Sequence, residues 1–381
     1  MDVTGICAIF IYVSNFTGLK EHRMRILHIV RNFGFGGAEN HVRDLANVLD
    51  EMGHEVYIVA GQGRQNKLLR EGVRFINMQV SDLRAPLQIA SLVRFIRKNG
   101  IEIIHGHQRL PVFVGCMAAR ITGIPFVVTV HGKTQYDVRL PLTRKWTDKF
   151  IFVRQSTLDE APDYGIPEVK SVLIQNGVRI RENKDNRDPD SICYISRIDK
   201  RHAAVISLII RKVLEPLAAG RPSLTFNIVG DGEELPELIA EADNLNSRLG
   251  RSCAIIRGYM PDVTEIIMRS GLVLGVGRVA MESLACAVPL LSVNQKYFGG
   301  MVSAANYDFF RKNNFVAYGL DEPDATRLQA SLEDYFSRKD YWQAEASELQ
   351  KKIAEDFDIL RITASITGIY SDLVSSRQKK S

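Results

Sequence analysis

The sequence predicts an α/β protein made of two successive, doubly wound parallel sheets. Three observations carry that expectation. Short apolar runs rich in β-branched residues alternate with longer amphipathic helical patterns along most of the chain, the pattern of parallel strands covered by helices on both faces. The alternation breaks at a polar, charged stretch over 181–190 and then restarts. At 381 residues the chain is too long for one ordinary core and suits two domains.

The first 23 residues stand apart. Their apolar run at 6–13 has Asp2 ahead of it and no basic leader, a poor signal peptide, so 1–23 is expected to be a disordered N-terminal extension. A first domain over 24–180 begins with a buried strand at 25–30, the loop NFGFGGAE, and a helix over 38–52. That helix carries Val42, Leu45, Ala46 and Leu49 at helical spacing and stops at Gly53-His54. Strands at 55–59, 73–78, 102–105, 126–130, 150–153 and 171–174 follow, with helices at 87–98 and 112–122. The stretch RENKDNRDPD at 181–190 has no periodicity and reads as the linker, its Asp188-Pro-Asp190 included.

A second domain over 191–355 repeats the design. Strands are expected at 192–195, 224–229 and 254–257, with helices at 203–217 and 233–246. Then comes an apolar run at 272–276, a glycine turn (Gly275, Gly277), and a helix over 278–287 with Met281, Leu284 and Ala285 on one face. Pro289 ends that helix, and 290–293 is the next strand. Two helical patterns close the chain over 344–374. The last, with Ile359, Ile362, Ile366, Tyr370 and Leu373, is amphipathic. Residues 356–381 are expected to pack back on the first domain and end in a disordered tail.

Composition excludes several classes. Cys7, Cys116, Cys193, Cys253 and Cys286 are scattered without a Cys-x-x-Cys pair, which argues against a disulfide framework or a zinc site and fits a reducing cytoplasm. No stretch reaches the roughly 20 apolar residues of a membrane span. The net charge is +5, unevenly spread: residues 1–180 hold 23 Lys and Arg against 16 Asp and Glu, a net of +7, and the remainder 26 against 28, a net of −2. A basic first half suits an anionic membrane face or a phosphate-bearing acceptor. Without basic runs interleaved with aromatic residues, nucleic acid is not expected as a partner.

Ligands of such sheets bind beyond the carboxyl ends of the strands, so the loops after strands are where chemistry is sought, in a cleft between the domains. Gly36 and Gly37 open the first helix and allow close approach of a ligand to the backbone. His131-Gly132 follows the strand at 126–130. His105-Gly-His107 has the look of a metal pair, but no carboxylate or cysteine set accompanies it, and no metal is expected. Arg197, Lys200 and Arg201 share the loop SRIDKRH after the first strand of the second domain, where cations suit a diphosphate. Gly230-Asp231-Gly232 makes a tight turn after the next strand, and Gly277-Arg278 starts a helix whose free N–H groups favour an anion.

Taken in order, these motifs resemble those of the retaining group 1 glycosyltransferases, glycosyltransferase family 4. They are GGAE at 36–39, HGHQ at 105–108, VHG at 130–132 and NGV at 176–178, then SRID at 196–199, VGDGEEL at 229–235, MESLACAVPLLS at 281–292 and the final IYSDL. The resemblance spans nearly all of 24–374. It implies the GT-B fold, two Rossmann-like domains facing a cleft, with the acceptor in the first domain and a nucleotide sugar in the second. It implies catalytic roles for His131, Arg197 and Glu282, with His131 on the donor sugar and Glu282 on the ribose. Gly36, Gly37, Arg197, Lys200, Arg201, His202, Gly277 and Arg278 would meet the donor diphosphate. Asp231, Gly232 and Glu282 would shape the nucleotide site, and His107 would lie on the acceptor side. The implied reaction moves a hexose-type sugar, UDP-linked, onto a glycan or lipid-linked acceptor with retention in cell-surface polysaccharide or lipopolysaccharide synthesis. It needs no cofactor and no metal, because fixed cations stabilise the leaving nucleotide, and it takes place in the cytoplasm at the membrane's inner face.

The chain departs from the family pattern twice. Of the usual Glu-x7-Glu pair, Glu282 is the second member, but Leu274 stands at the first. The usual lysine five residues after Arg197 is His202. Two other readings stay open on residues alone: an enzyme like the UDP-N-acetylhexosamine 2-epimerases, which would need acid/base carboxylates, and a non-catalytic nucleotide-sugar-binding protein of the same fold.

Overall fold

A computed structural model of the chain describes residues 23–34, 36–182 and 186–379. All but Arg23 of the expected N-terminal extension, and the last two residues of the expected tail, lie outside them. The chain forms two compact units. One is Met1–Phe152 with Thr157–Val172 and Thr363–Ser381, and the other is Val153–Ser156 with Leu173–Ile362.

The sheet of the first unit has seven strands: β1 (Arg25–Asn32), β2 (Glu55–Gly61), β3 (Arg74–Asn77), β4 (Ile103–His107), β5 (Phe126–Val130), β6 (Lys149–Phe152) and β7 (Ser171–Leu173). Their spatial order is β3-β2-β1-β4-β5-β6-β7, and the pairs from β3 through β6 are parallel. The order reverses between β1 and β4, the switch point of a doubly wound sheet. The strands are apolar throughout because helices cover both faces. Helix Gly37–Glu51 buries Val42, Leu45, Ala46, Val48 and Leu49, each worth about 1.5–3 kcal/mol for the larger side chains. Helices Ala85–Asn99 and Arg109–Thr122 end in left-handed glycines, Gly100 (φ 62°) and Gly123 (φ 78°), which satisfy carbonyls of the last turn.

The second unit repeats the plan with β8 (Asp188–Ile195), β9 (Thr225–Val229), β10 (Ala254–Gly258), β11 (Ser270–Gly275), β12 (Leu290–Val293) and β13 (Phe298–Met301). The order is β10-β9-β8-β11-β12-β13, with the switch point between β8 and β11. Only β13 runs antiparallel to its neighbour. It was not expected. It is short, Gly299-Gly300 interrupts its apolar pattern, and a side chain at Gly299 would strike the Phe310 ring at 2.7 Å.

Two boundaries differ from the expected ones for identifiable reasons. The helix expected over 203–217 is three pieces: Lys200–Leu208, a π-helical turn at Ile209–Val213, and Leu214–Ala219. Pro216 lacks an N–H and crowds the carbonyl four residues back, at Lys212, and the wider turn relieves both. The stretch 181–190 is not a free spacer, since β8 begins at Asp188. Asp190 accepts from Ser223 and Lys339, and Arg187 donates to the carbonyls of Cys286 (3.1 Å) and Ala287 (2.9 Å). These two carbonyls lie in the cap and turn just past the end of helix Arg278–Ala285. Gln343 also donates to the Ala287 carbonyl at 2.9 Å, so removing the guanidinium takes one donor from each carbonyl, and Arg187→Ala should lower unfolding free energy by about 1–3 kcal/mol. Urea titration of the second unit checks this, and an unchanged midpoint would contradict the assigned role.

Candidate active site

The first unit gathers its candidate groups on one face of the sheet. His28 of β1 is paired with His105 of β4, and His107 of β4 with Thr129 of β5. Paired residues of neighbouring strands point the same way and alternate residues share a face. His28, His105, His107 and Thr129 therefore stand together, and His131, two residues past Thr129, continues the row. His41, from helix Gly37–Glu51, lies edge-on to His131 with ring centroids 5.2 Å apart.

The rings are hydrogen-bonded. His28 Nδ1 and His107 Nε2 are 3.2 Å apart, and His107 Nδ1 and His131 Nε2 are 3.1 Å apart. His105 meets Thr129 Oγ1 at 2.7 Å through Nε2 and the Tyr370 hydroxyl at 2.5 Å through Nδ1. His28, His105 and His107 are fully buried. Burial, helped by the neighbouring His41, pushes the His28 imidazole down to about 3. Burial and then the adjacent imidazoles hold His105 and His107 well below the usual histidine range. All three are neutral near pH 7. Sequence reading singled out His107 and His131; His28 and His41 were missed, because nothing local reveals that β1 will pair with β4.

His28, His105 and His107 bring one ring nitrogen each within 4.8 Å of one another. That geometry could admit a metal ion, yet both nitrogens of His105 already face hydroxyls and the trio offers no negative charge. A dication there would be buried without a counter-charge, a large penalty. The donor set fits hydrogen bonding better than metal ligation.

Asp137, also missed, shapes the turn at His131-Gly132. Its Oδ2 accepts from both backbone N–H groups, at 3.0 and 2.8 Å. Burial raises its carboxyl above the usual range, against the pull of those N–H groups. At the end of β4, Gln108 adopts a left-handed φ of 61° and donates to Glu39 Oε1 at 2.9 Å. Glu39 Oε2 in turn lies 2.2 Å from where a side chain at Gly36 would begin, while Gly37 faces open space.

In the second unit the loop after β8 holds Arg197, Lys200 and Arg201, all exposed. Asp199 caps the following helix by accepting from the N–H groups of Arg201 and His202. It also takes the His202 ring at 2.8 Å, so His202 is drawn to Asp199. Burial pushes the Asp199 carboxyl up, and the bonds from His202 outweigh it, leaving it below the usual range. The Gly230-Asp231-Gly232 turn is pressed against this loop. The Ile198 N–H donates to the Asp231 carbonyl at 3.0 Å. A side chain at Gly230 would meet the Ser196 carbonyl at 1.9 Å, and one at Gly232 the Ile198 carbonyl at 2.3 Å.

At the end of β11, Gly277 (φ 63°) caps helix Arg278–Ala285. Arg278 Nε lies 2.7 Å from Glu282 Oε1, one turn along. Leu274, standing where the resemblance would put a sugar-contacting glutamate, is fully buried in the core. It cannot be replaced there by a small shift of the loop. Asn314 and Phe315, at φ 52° and 55°, form a strained turn beside Gly277 that sequence reading did not anticipate.

Residues 35–182 match the family described as Glycosyltransferase Family 4. The chain is a glycosyltransferase of the GT-B fold, and its first half matches family 4. Among curated proteins this glycosyltransferase is 26% identical over 368 residues to the phosphatidyl-myo-inositol mannosyltransferase of Mycolicibacterium smegmatis, covering 88% of this chain and 90% of that one. It is 23% identical over 330 residues to the Escherichia coli UDP-Gal:alpha-D-GlcNAc-diphosphoundecaprenol alpha-1,3-galactosyltransferase, covering 78% and 82%. Among solved structures, a glycosyltransferase from Rickettsia africae superposes with a TM-score of 0.68 at 18% identity, covering 93% of this chain and 99% of that one. Anabaena HepE in complex with UDP and glucose gives 0.65 at 19%, covering 92% and 100%. The family match and the curated relatives bear out the glycosyltransferase reading.

The buried imidazoles give the enzyme a pH signature. Above about 6.5 they are neutral whether folded or unfolded. Below it the unfolded chain takes up protons that the folded one refuses, so stability is lost as pH falls from 6.5 toward the folded value of about 3 for His28. The slope reaches about 1.4 kcal/mol per pH unit per histidine. Urea midpoints of the first unit at pH 7.5 and 5.5, read from Trp146 in a Trp342→Phe background, should differ accordingly and differ less in His28→Gln. Equal dependence in both proteins would contradict the buried, neutral assignment.

Proposed function

We propose that this glycosyltransferase takes a UDP-linked hexose-type sugar and transfers it, with retention and without a metal, to a glycan or lipid-linked acceptor. The observation that carries the donor half is the gathering of exposed Arg197, Lys200 and Arg201 after β8, beside the N-terminus of helix Arg278–Ala285 after β11. β8 and β11 are neighbours at the switch point, where an open α/β sheet binds its ligand. Guanidinium and ammonium groups with helical N–H groups would neutralise the diphosphate and stabilise the departing nucleotide as charge develops. With His202 drawn to Asp199, that work falls to Arg197, Lys200 and Arg201, helped by Gly277 and Arg278. Arg278 holds one oxygen of Glu282, and the other would meet the ribose hydroxyls, with Asp231 and Gly232 shaping the base side.

In the first unit, Gly36 and Gly37 would admit the phosphates or sugar, His131 would bind a sugar hydroxyl, and His107 would stand behind it on the acceptor side. Attack from the face that the leaving phosphate occupies lets that phosphate help deprotonate the acceptor, and it gives retention. The UDP complex of the structural relative and the lipid-linked substrates named for the curated relatives support donor and acceptor class.

A peripheral place at the inner face of the membrane, in synthesis of cell-surface polysaccharide or lipopolysaccharide, fits two features of the first unit. It is basic, and Leu83 and Leu87 are 97% and 75% exposed beside exposed Arg84, Arg94, Arg97 and Lys98, a combination suited to anionic lipid. Among the described residues no helix is long and apolar enough to cross a membrane.

The test is a panel of UDP-, GDP- and ADP-sugars with and without EDTA, read as nucleotide release. One UDP-sugar should be hydrolysed slowly, indifferent to EDTA; strict dependence on a divalent ion would refute the metal-free reading. Arg197→Ala and Glu282→Ala should each cut turnover by about 10²-fold, and near-normal activity in either would refute its role.

A further inference from the structure

The excess positive charge of the first unit is gathered on one side of its sheet. We propose that the helical layer on that side is the surface on which the enzyme lies against an anionic lipid bilayer, with the crossover from β5 to β6 as its anchor. This rests on the peripheral place given above and extends it from residues 83–98 to a whole face.

Topology divides the helices between the two sides. From β3 to β4, β4 to β5 and β5 to β6 the chain moves one way along the sheet, and from β1 to β2 and β2 to β3 it moves the other way. Right-handed crossovers then put helices Ala85–Asn99 and Arg109–Thr122, with the short helices Thr134–Asp137 and Pro141–Trp146, on one side and helix Gly37–Glu51 on the other. The packing agrees. A side chain at Gly115 would meet Ile29 at 3.1 Å, and Ile29 faces away from the side of its neighbour His28. His41 of helix Gly37–Glu51 lies edge-on to His107, and Tyr370 of the closing helix reaches His105, so those two helices cover the imidazole side. Helix Arg109–Thr122 packs on helix Ala85–Asn99 and on both short helices, which makes the other side one continuous layer.

The two sides differ in charge. The layer formed by 82–99, 109–122 and 133–147 holds 10 Lys and Arg against 2 Asp and Glu. One of those acids, Asp137, is buried and occupied by backbone N–H groups. The imidazole side, formed by 37–51, 62–73 and 363–379, holds 6 against 6. Apolar exposure follows the same division. Among the described residues, six of the seven exposed large hydrophobic side chains of the first unit stand on the basic layer: Leu83, Leu87, Ile121, Tyr136, Leu140 and Leu142. In the crossover the two kinds adjoin, since exposed Arg139 precedes Leu140 and Leu142, with Lys133 and Lys145 exposed on either side. Arg109 lies over the Tyr136 ring at 5.1 Å, and Arg144 holds the loop by donating to the Val138 and Arg139 carbonyls, both at 3.2 Å. Cations among aliphatic side chains suit lipid phosphate with acyl chains beneath it. A second copy would set one basic face against another. A nucleic acid would want stacking rings, and Tyr136 is the one aromatic residue among those six. Lys133 follows His131 by two residues, so a bilayer held there adjoins the group assigned to the sugar and can present a lipid-linked acceptor.

The experiment is sedimentation of the full chain with vesicles of phosphatidylcholine, alone or mixed with phosphatidylglycerol, in a Trp342→Phe background that leaves Trp146 as the remaining tryptophan. The protein should pellet with the anionic vesicles and much less with the neutral ones, and lipid brominated on its acyl chains should quench Trp146. Lys133→Glu with Arg139→Glu, and separately Leu140→Ser with Leu142→Ser, should each weaken partitioning by about tenfold or more. Lys212→Glu with Lys351→Glu makes the same change of net charge in the second unit and should weaken it far less. If a crossover variant does not fold, quenching of Trp146 in the parent protein still decides. Undiminished binding by both crossover variants, an equal loss in the second-unit control, or an unquenched Trp146 on bound protein overturns the face and leaves the peripheral place standing. Failure of the parent protein to bind anionic vesicles removes the peripheral place itself, and the face with it. Self-association that the crossover substitutions abolish would overturn the bilayer as the occupant.

Discussion

The placement of Arg197 in the second unit depends on a backbone contact. The turn Gly230-Asp231-Gly232 lies so close under the Ser196–Ile198 segment that neither glycine has room for a side chain, and the Ile198 N–H to Asp231 carbonyl bond closes the contact. Arg197 sits in the middle of that segment. Its exposed charge is therefore placed by the strand ends of β8 and β9. For the diphosphate role proposed for Arg197 this placement is apt, since a cation already tied to a carboxylate has less to offer a phosphate. The same logic runs through Asp199, which spends its carboxylate on the helix N–H groups and on His202.

The two units handle charge in opposite ways. In the second, cations stand in water at the end of a sheet. In the first, titratable rings are buried, and burial with mutual contact strips them of charge. A neutral row can orient a hydrogen bond without carrying a charge, and it costs stability only when acid protonates the unfolded chain.

The fold was largely legible because it rests on period and composition. β5 and β12 fall where the apolar runs at 126–130 and 290–293 put them, and the helix boundaries move by a few residues at glycines and prolines. What was not legible lies in pairing and packing. His105-Gly-His107 looked like an isolated pair because the register that adds His28 is set by β1 beside β4. Asp137 was missed because its hold on the His131 and Gly132 N–H groups is set by the fold of the turn. The polar stretch at 181–190 looked like a tether, although Arg187 and Asp190 are tied into the second unit. Leu274 was read as a missing glutamate; it is a core residue of β11.

The central claim is that a metal-free nucleotide site is assembled by the glycine turn holding the Arg197 segment. Calorimetric titration of UDP in EDTA, into the wild-type protein and Gly232→Ala, tests it most directly. A methyl group at position 232 would approach the Ile198 carbonyl at 2.3 Å and push the segment outward. The account predicts binding by the wild type and, with the fold intact, at least about tenfold weaker binding by the variant, the loss of roughly 1.4 kcal/mol. Equal affinity in the two proteins, or no binding until a divalent ion is restored, would contradict it.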